Sequence, residues 1–374
     1  MDVDADRAEL EAWLILLRTP GTGPAALREM LARHGRAQAA LAAARHGDLG
    51  RADNDAARAW LRAPDFALVQ TDFAWLARPD HALVTFADAD FPPLLQEIPA
   101  PPAALFVAGD AGALWRPQVA VVGSRHASQS GIANAQAFTR ALVAAGFAIT
   151  SGLAEGIDGA AHAAALDAGG CTLAVLGTGP DRIYPSRHGE LAARVRGGGA
   201  LVSEFPPGTP GHPTHFPRRN RIIAGLGVAT LVIEAGLRSG SLITARNAAD
   251  SGREVFALPG SIHNPLARGC HQLIRQGARL VESADEIVAE LAPQARALCG
   301  QLRQRLPAPA AADAARALDP DYATLFAALG HDALGLDQLA HRTSLPVATL
   351  SSMLLMLELE GEIVATGGAY ARRV

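Results

Sequence analysis

Lysine is missing: all 33 basic residues of the 374-residue chain are arginine. That excludes a Schiff-base lysine and a Walker A lysine. Cysteine is scarce too, with Cys171, Cys270 and Cys299 too few and too scattered for a disulfide framework. Long apolar runs are absent: although 49% of residues are hydrophobic, the runs break within about ten residues, short of the roughly 18–20 that span a bilayer. No membrane partner is expected. The opening MDVDADRAELEAWL is acidic and lacks the basic n-region of a secretory signal, which predicts a cytoplasmic protein.

Charge of either sign is unevenly spread. Residues 1–109 carry 10 arginines against 15 acids, residues 110–292 carry 16 against 14, and residues 293–374 carry 7 against 8. The middle segment alone is basic, and only slightly, so any polyanion it binds must meet a local patch.

What is present divides the chain into four parts. Residues 1–90 read as Ala-rich helices reaching to about residue 85. Their PGTGP turn between two helical patterns resembles a helix-hairpin-helix unit, so a SAM/helix-hairpin-helix-like domain is expected, with packing favoured over DNA contact because no basic residue crowds the turn. Over 91–292, strand-length apolar runs alternate with helix-length segments: 118–124, 146–150, 171–177, 200–204, 228–234 and 254–259. This pattern predicts an α/β fold, a Rossmann-like parallel sheet covered on both faces. Residues 293–317 are Ala/Pro-rich and read as a linker, in part helical. In 318–374, helices at 320–328, 335–342 and 346–361 precede a hairpin turn at Gly367–Gly368, which predicts a winged-helix domain. Its recognition helix has two glutamates and no arginine, so protein contact is favoured over DNA reading.

Ligands of open α/β sheets sit beyond the carboxyl ends of the strands. The first strand leads into Gly123-Ser124-Arg125, and Ser128 and Gly131 then open a helix. Small residues and free helix amides suit an anion. Further on come Tyr184-Pro185, then Glu204, and then FPRRNRIIAGL with Arg218, Arg219, Asn220 and Arg221. Glu234 is followed by Ser239-Gly240-Ser241. No G-x-G-x-x-G with a following ribose-binding acid appears, so guanidinium groups and amides favour a phosphodiester track over a dinucleotide.

GSRHASQSG, SGLAEGIDGAAH, YP, SEFPPG, FPRRNRIIAGL, VIEAGLRSGSLITA, REVFALPG and LIRQGA, in that order across 91–292, closely resemble the DNA-processing protein A (DprA/Smf) family. The resemblance implies a homodimer that binds single-stranded DNA, protects incoming strands in natural transformation (competence) and loads the RecA recombinase onto them for DNA recombination. It implies no catalysis, no cofactor and no metal. By motif, Arg125, Arg218, Asn220 and Arg221 are expected on phosphates or bases, with Ser124, Ser128, Gly131, Ser239, Gly240 and Ser241 lining the same pocket. The arginine triplet, Arg219 included, would then serve successive phosphates, each steepening the salt dependence by roughly 0.7. Internal pairing of one or two of these arginines with Glu204 or Glu234 is the competing expectation. Where the family usually reads G-x-N, this chain has Gly269-Cys270-His271.

Weaker signals are assigned structural roles. His212 and His215 lack a third metal ligand nearby in sequence, His162 is expected to be buried and hydrogen-bonded, and Glu204 and Glu234 are expected to orient arginines. Phe205, Phe216 and Tyr184 are the aromatics nearest the groove, with Phe216 assigned to the core. An alternative, a nucleotide-processing enzyme cleaving N-glycosidic bonds, lacks the P-G-G-x-G-T-x-x-E pattern it would carry.

Overall fold

A computed structural model describes residues 3–305, 320–329, 334–359, 363–366 and 369–372. The chain divides into two compact units, 1–300 and 301–374, each taken by itself below.

The first unit opens with five helices: α1 (Val3–Leu17), α2 (Pro24–His34), α3 (Ala37–Arg45), α4 (Asp55–Arg62) and α5 (Phe66–Leu76). Side-chain caps set two of their starts, Asn54 accepting the Ala57 N–H and Asp65 the Ala67 N–H. The helices stop at Leu76; His81–Thr85, expected to be helical, is a strand (β1) paired antiparallel with β2 (Ala104–Gly109). A short helix α6 (Pro93–Gln96) lies between them.

The remaining strands are β3 (Gln118–Gly123), β4 (Ala148–Ser151), β5 (Thr172–Val175), β6 (Gly199–Ser203), β7 (Ala229–Ile233), β8 (Glu254–Ala257) and β9 (Arg279–Leu280). They form one nine-stranded sheet in the order β1-β2-β6-β5-β4-β3-β7-β8-β9, parallel from β6 to β9. The six strands expected from apolar runs are all present; β1, β2 and β9 are additions. The helices between strands are α7 (Gln129–Ala144), α8 (Ile157–Asp167), α9 (Gly189–Gly197), α10 (His215–Leu226), α11 (Ser241–Asp250) and α12 (Arg268–Arg275). Strands such as Ala229–Ile233 are buried at every position, as a sheet covered on both faces requires.

Two apolar clusters flank this sheet. One joins Leu14, Ile15, Leu27 and Met30 of the first helices to Phe106, Leu176 and Leu201 at the sheet. Packing therefore runs without a break from the amino-terminal helices into the α/β layer. The other joins Val121, Phe138, Ile149, Ile233 and Phe256 to Leu291 and Leu298 of α13 (Ala284–Arg305). The segment expected to link the domains is thus helical through Arg305, and Leu298 is part of the core; 306–317 lie outside the described residues.

In the second unit, helices Pro320–Ala328, Leu336–Thr343 and Val347–Leu359 pack around Leu325, Leu339, Leu350, Leu354 and Ile363. Strands β10 (Leu334–Gly335), β11 (Ile363–Thr366) and β12 (Ala369–Arg372) form a sheet in the order β10-β12-β11, giving a winged helix. The Gly367–Gly368 turn lies outside the described residues. Among the described residues no helix is long and apolar enough to cross a membrane.

Candidate nucleic-acid interface

The carboxyl ends of β3, β4 and β7 open onto a cleft of about 640 Å³. One wall is the turn Gly123-Ser124-Arg125, another the Arg238–Ser241 turn, and the third the α10 face bearing Phe216, Arg219, Asn220 and Ile223. An adjoining recess of about 170 Å³ shares Arg125, Tyr184, Phe216 and Arg219 and extends to Gly152 and Glu155. Gly123 is fixed by space: a Cβ there would lie 2.6 Å from Ile157 Cγ1 and overlap the Ile233 carbonyl.

The FPRRNR segment is helix, not loop, and this redistributes its charges. Successive residues turn by about 100°, so positions three and four apart fall on one side of the helix. Phe216, Arg219, Asn220 and Ile223 line the cleft. Arg218 and Arg221, on the other face, both reach Glu204: Arg221 makes two bonds at 2.6 and 2.9 Å, and Arg218 Nε stands at 3.0 Å. Arg221 also donates to the Ala100 carbonyl at 2.8 Å, and Arg218 lies over the Phe205 ring at 5.3 Å. Both arginines, expected on phosphates or bases, are thus paired internally with Glu204 and do not line the cleft. Glu204 is buried, and its desolvated carboxylate requires these cations.

Arg219 is buried and faces the cleft floor. Its Nη1 donates to the carbonyls of Gly152, at 2.8 Å, and Val175, and its Nε to Asn220 Oδ1 at 3.2 Å. Burial lowers its pKa to about 10 against the pull of Asp158, so it stays charged at neutral pH. Burial pushes the Asp158 carboxyl up, opposed by the Arg219 charge. Asp158 accepts N–H groups of Gly152 and Ala154 at 3.1 and 3.4 Å. Asn220 Nδ2 donates to the Gly240 carbonyl at 3.2 Å, tying α10 to the opposite turn.

The other expected residues divide similarly. Ser124 lines the cleft and its Oγ accepts the His126 N–H at 3.1 Å. Ser239, Gly240 and Ser241 line it too, the two hydroxyls 2.7 Å apart. Ser128 and Gly131 do not: the α7 amino terminus they form is filled by the Glu234 carboxylate, whose Oε2 accepts the Ser128 N–H at 2.8 Å. Among the described residues Glu234 therefore forms no ion pair with an arginine, whereas Glu204 pairs with two. Phe216 belongs to the cleft rather than to the core, its ring 5.2 Å from that of exposed Tyr184.

Among the described residues no carboxylate pairs with Arg125 or Arg238, both of which are exposed on the cleft. Arg238 was not among the expected site residues; its signal was adjacency to Ser239 in the same strand-end turn. His162 is buried as expected, Nδ1 at 2.7 Å from Thr172 Oγ1, and burial lowers its pKa to about 3. His215 stacks on Phe205 with centroids 4.2 Å apart. Among the described residues no three His, Cys, Asp or Glu side chains gather as a metal site would need. His271, where the motif has asparagine, bonds the Gly260 carbonyl at 3.0 Å, away from the cleft.

A family model described as DNA recombination-mediator protein A matches residues 82–292. Models of a DprA winged helix domain and a DprA-like N-terminal HHH domain match 309–369 and 7–53. Protein Smf of Escherichia coli K12 is 47% identical over 288 residues, 76% of each chain. DNA processing protein DprA of Streptococcus pneumoniae R6 is 47% identical over 203 residues, 54% of this chain and 72% of that one. The X-ray structure of the S. pneumoniae protein superimposes with a TM-score of 0.67 at 36% identity, covering 75% of this chain and 97% of that one. The structure of DNA processing protein A from Helicobacter pylori, described for its unique single-stranded DNA binding mode, shares the fold with a TM-score of 0.52 at 24% identity, over 57% of this chain and 96% of that one. With a matching model over its α/β core and relatives of this closeness, the chain belongs to the DNA recombination-mediator protein A (DprA/Smf) family.

Proposed function

We propose that the cleft binds single-stranded DNA. On this reading the protein is a cytoplasmic homodimer that protects incoming strands during natural transformation and loads the RecA recombinase onto them, without catalysis or a cofactor. The observation that carries it is the pair of exposed guanidinium groups, Arg125 and Arg238, which have no carboxylate partner among the described residues and line a cleft floored by buried, charged Arg219. Two phosphate-reaching forks and the 239–241 turn suit a polyanion backbone. The Tyr184–Phe216 pair offers rings on which unstacked bases, and not paired ones, can lie. The H. pylori relative's described single-strand binding supports the same ligand class.

Anisotropy titration of poly-dT against duplex DNA at two salt concentrations tests this, with sedimentation for the dimer and RecA filament assembly for loading. Tighter, salt-sensitive binding of poly-dT is expected. Equal affinity for duplex would reject the single-strand assignment. Free base released from a nucleoside monophosphate would replace it with a nucleotide-processing enzyme.

A further inference from the structure

Glu234 follows β7 with φ at +50°, a left-handed conformation that persists in a residue with a Cβ only where surrounding contacts hold it. Those contacts come from two other loops. Oε2 accepts the Ser128 N–H at 2.8 Å, while Oε1 accepts Ser128 Oγ at 2.6 Å and Asn264 Nδ2 at 3.3 Å. Ser128 Oγ in turn accepts the Gly131 N–H at 3.0 Å, capping α7. Position 131 has no room for a side chain: a Cβ would stand 2.6 Å from Glu234 Cδ. The first turn of α7 is shaped around this carboxylate.

Each element that Glu234 joins supplies residues that line the cleft, Leu266 in the case of the Asn264 loop. The turn ending at Ser128 carries Ser124 and Arg125; the segment after Glu234 carries Arg238 and Ser239; Asn264 precedes Leu266 by two residues. Glu234 itself does not line the cleft. A negative charge at this edge opposes a polyanion, so what it contributes is geometry. We infer that Glu234 is the positioning residue of the cleft: it locks three strand-end loops together so that Arg125 and Arg238 are held in place before DNA arrives. The inference rests on the single-strand reading above for its effect on binding, and on the loops alone for its structural part.

Glu234→Ala and Glu234→Gln in the full chain test it, by hydrogen exchange without DNA and by poly-dT titration at two salt concentrations, both below each variant's thermal transition. The alanine variant should exchange faster over residues 124–131 and 260–266. It should also bind poly-dT about tenfold more weakly, because ordering the loops then falls to the binding step. Its salt slope should be unchanged, since no phosphate contact is removed. Glutamine still accepts the Ser128 N–H and should keep both exchange protection and affinity, the latter within about threefold. Wild-type exchange and affinity in Glu234→Ala would overturn the inference. So would an equal loss of affinity in glutamine with exchange protection intact, which would make the charge itself the active feature, or a steeper salt slope in the alanine variant. If the unsubstituted protein ignores poly-dT, the single-strand reading fails, and the exchange comparison still decides whether Glu234 locks the loops.

Discussion

Two sets of anion-compatible groups surround the same strand ends, and they have opposite fates. In one set the partners are internal: Glu234 fills the α7 amino terminus, Glu204 takes Arg218 and Arg221, and backbone carbonyls take Arg219. In the other, Arg125, Arg238 and the Ser239–Ser241 turn face an open cleft. Composition does not separate the two sets; each has arginine, serine and glycine after a parallel strand. They differ in whether a buried carboxylate or carbonyl lies within reach, because a buried ionic or polar group must find its partner inside the protein. Substitutions in the first set should read out as stability or as the order of the loops, and in the second as direct DNA contacts visible in the salt slope.

The largest effect should come from Arg219→Ala. It removes a buried cation and leaves the Gly152 and Val175 carbonyls without their donor, at about 1–3 kcal/mol for each buried acceptor left unsatisfied. Denaturant unfolding measures it; a loss under 1 kcal/mol would move Arg219 to the cleft-facing set.

Gly131→Ala sharpens the comparison by its sign. Glycine to alanine inside a helix ordinarily stabilises by about 1 kcal/mol. Here the new methyl meets the Glu234 carboxylate, and overpacking of this kind costs about 1–3 kcal/mol. In a Glu234→Ala background the same substitution should become stabilising, and a double-mutant cycle reads the reversal.

His162 supplies a pH test of the buried side. Its folded pKa of about 3 lies below the ordinary 6.5, so between these values the unfolded chain binds a proton that the native state refuses. Stability should therefore fall as pH drops from 6.5 towards 3, by at most about 1.4 kcal/mol per pH unit. Asp158, raised by burial, contributes the opposite slope but is shared by both proteins, so a shallower decline in His162→Gln isolates the histidine.

The smallest effect on folding belongs to the open set. Arg125→Ala should change stability by under about 0.5 kcal/mol yet flatten the single-strand salt slope by about 0.7. Arg221→Ala should leave that slope in place because its charge is spent on Glu204. If Arg221→Ala alone flattened the slope in titration, the division into internal and open sets would collapse.

Apolar runs of strand length were enough to identify the six central strands, since a strand buried on both faces needs apolar residues at every position. β1 and β2 escaped notice: they extend the sheet's antiparallel side next to helices whose composition resembles theirs. β9 has two residues and both are exposed, leaving no apolar signature. The strand-end turns at Gly123–Arg125 and Ser239–Ser241 were legible as cleft walls because small residues after parallel strands have a fixed address. Ser128, Gly131, Arg218 and Arg221 lie off the cleft for one shared reason, an internal carboxylate distant in sequence.

By itself the sequence determined the α/β class, the order of the parallel elements, the winged helix and the family, because burial pattern and motif order are written along the chain. Tertiary structure alone decided which cations are free. That depends on the phase of α10 and on where Glu204 and Glu234 end their strands, and a carboxylate's reach across space has no counterpart in linear spacing.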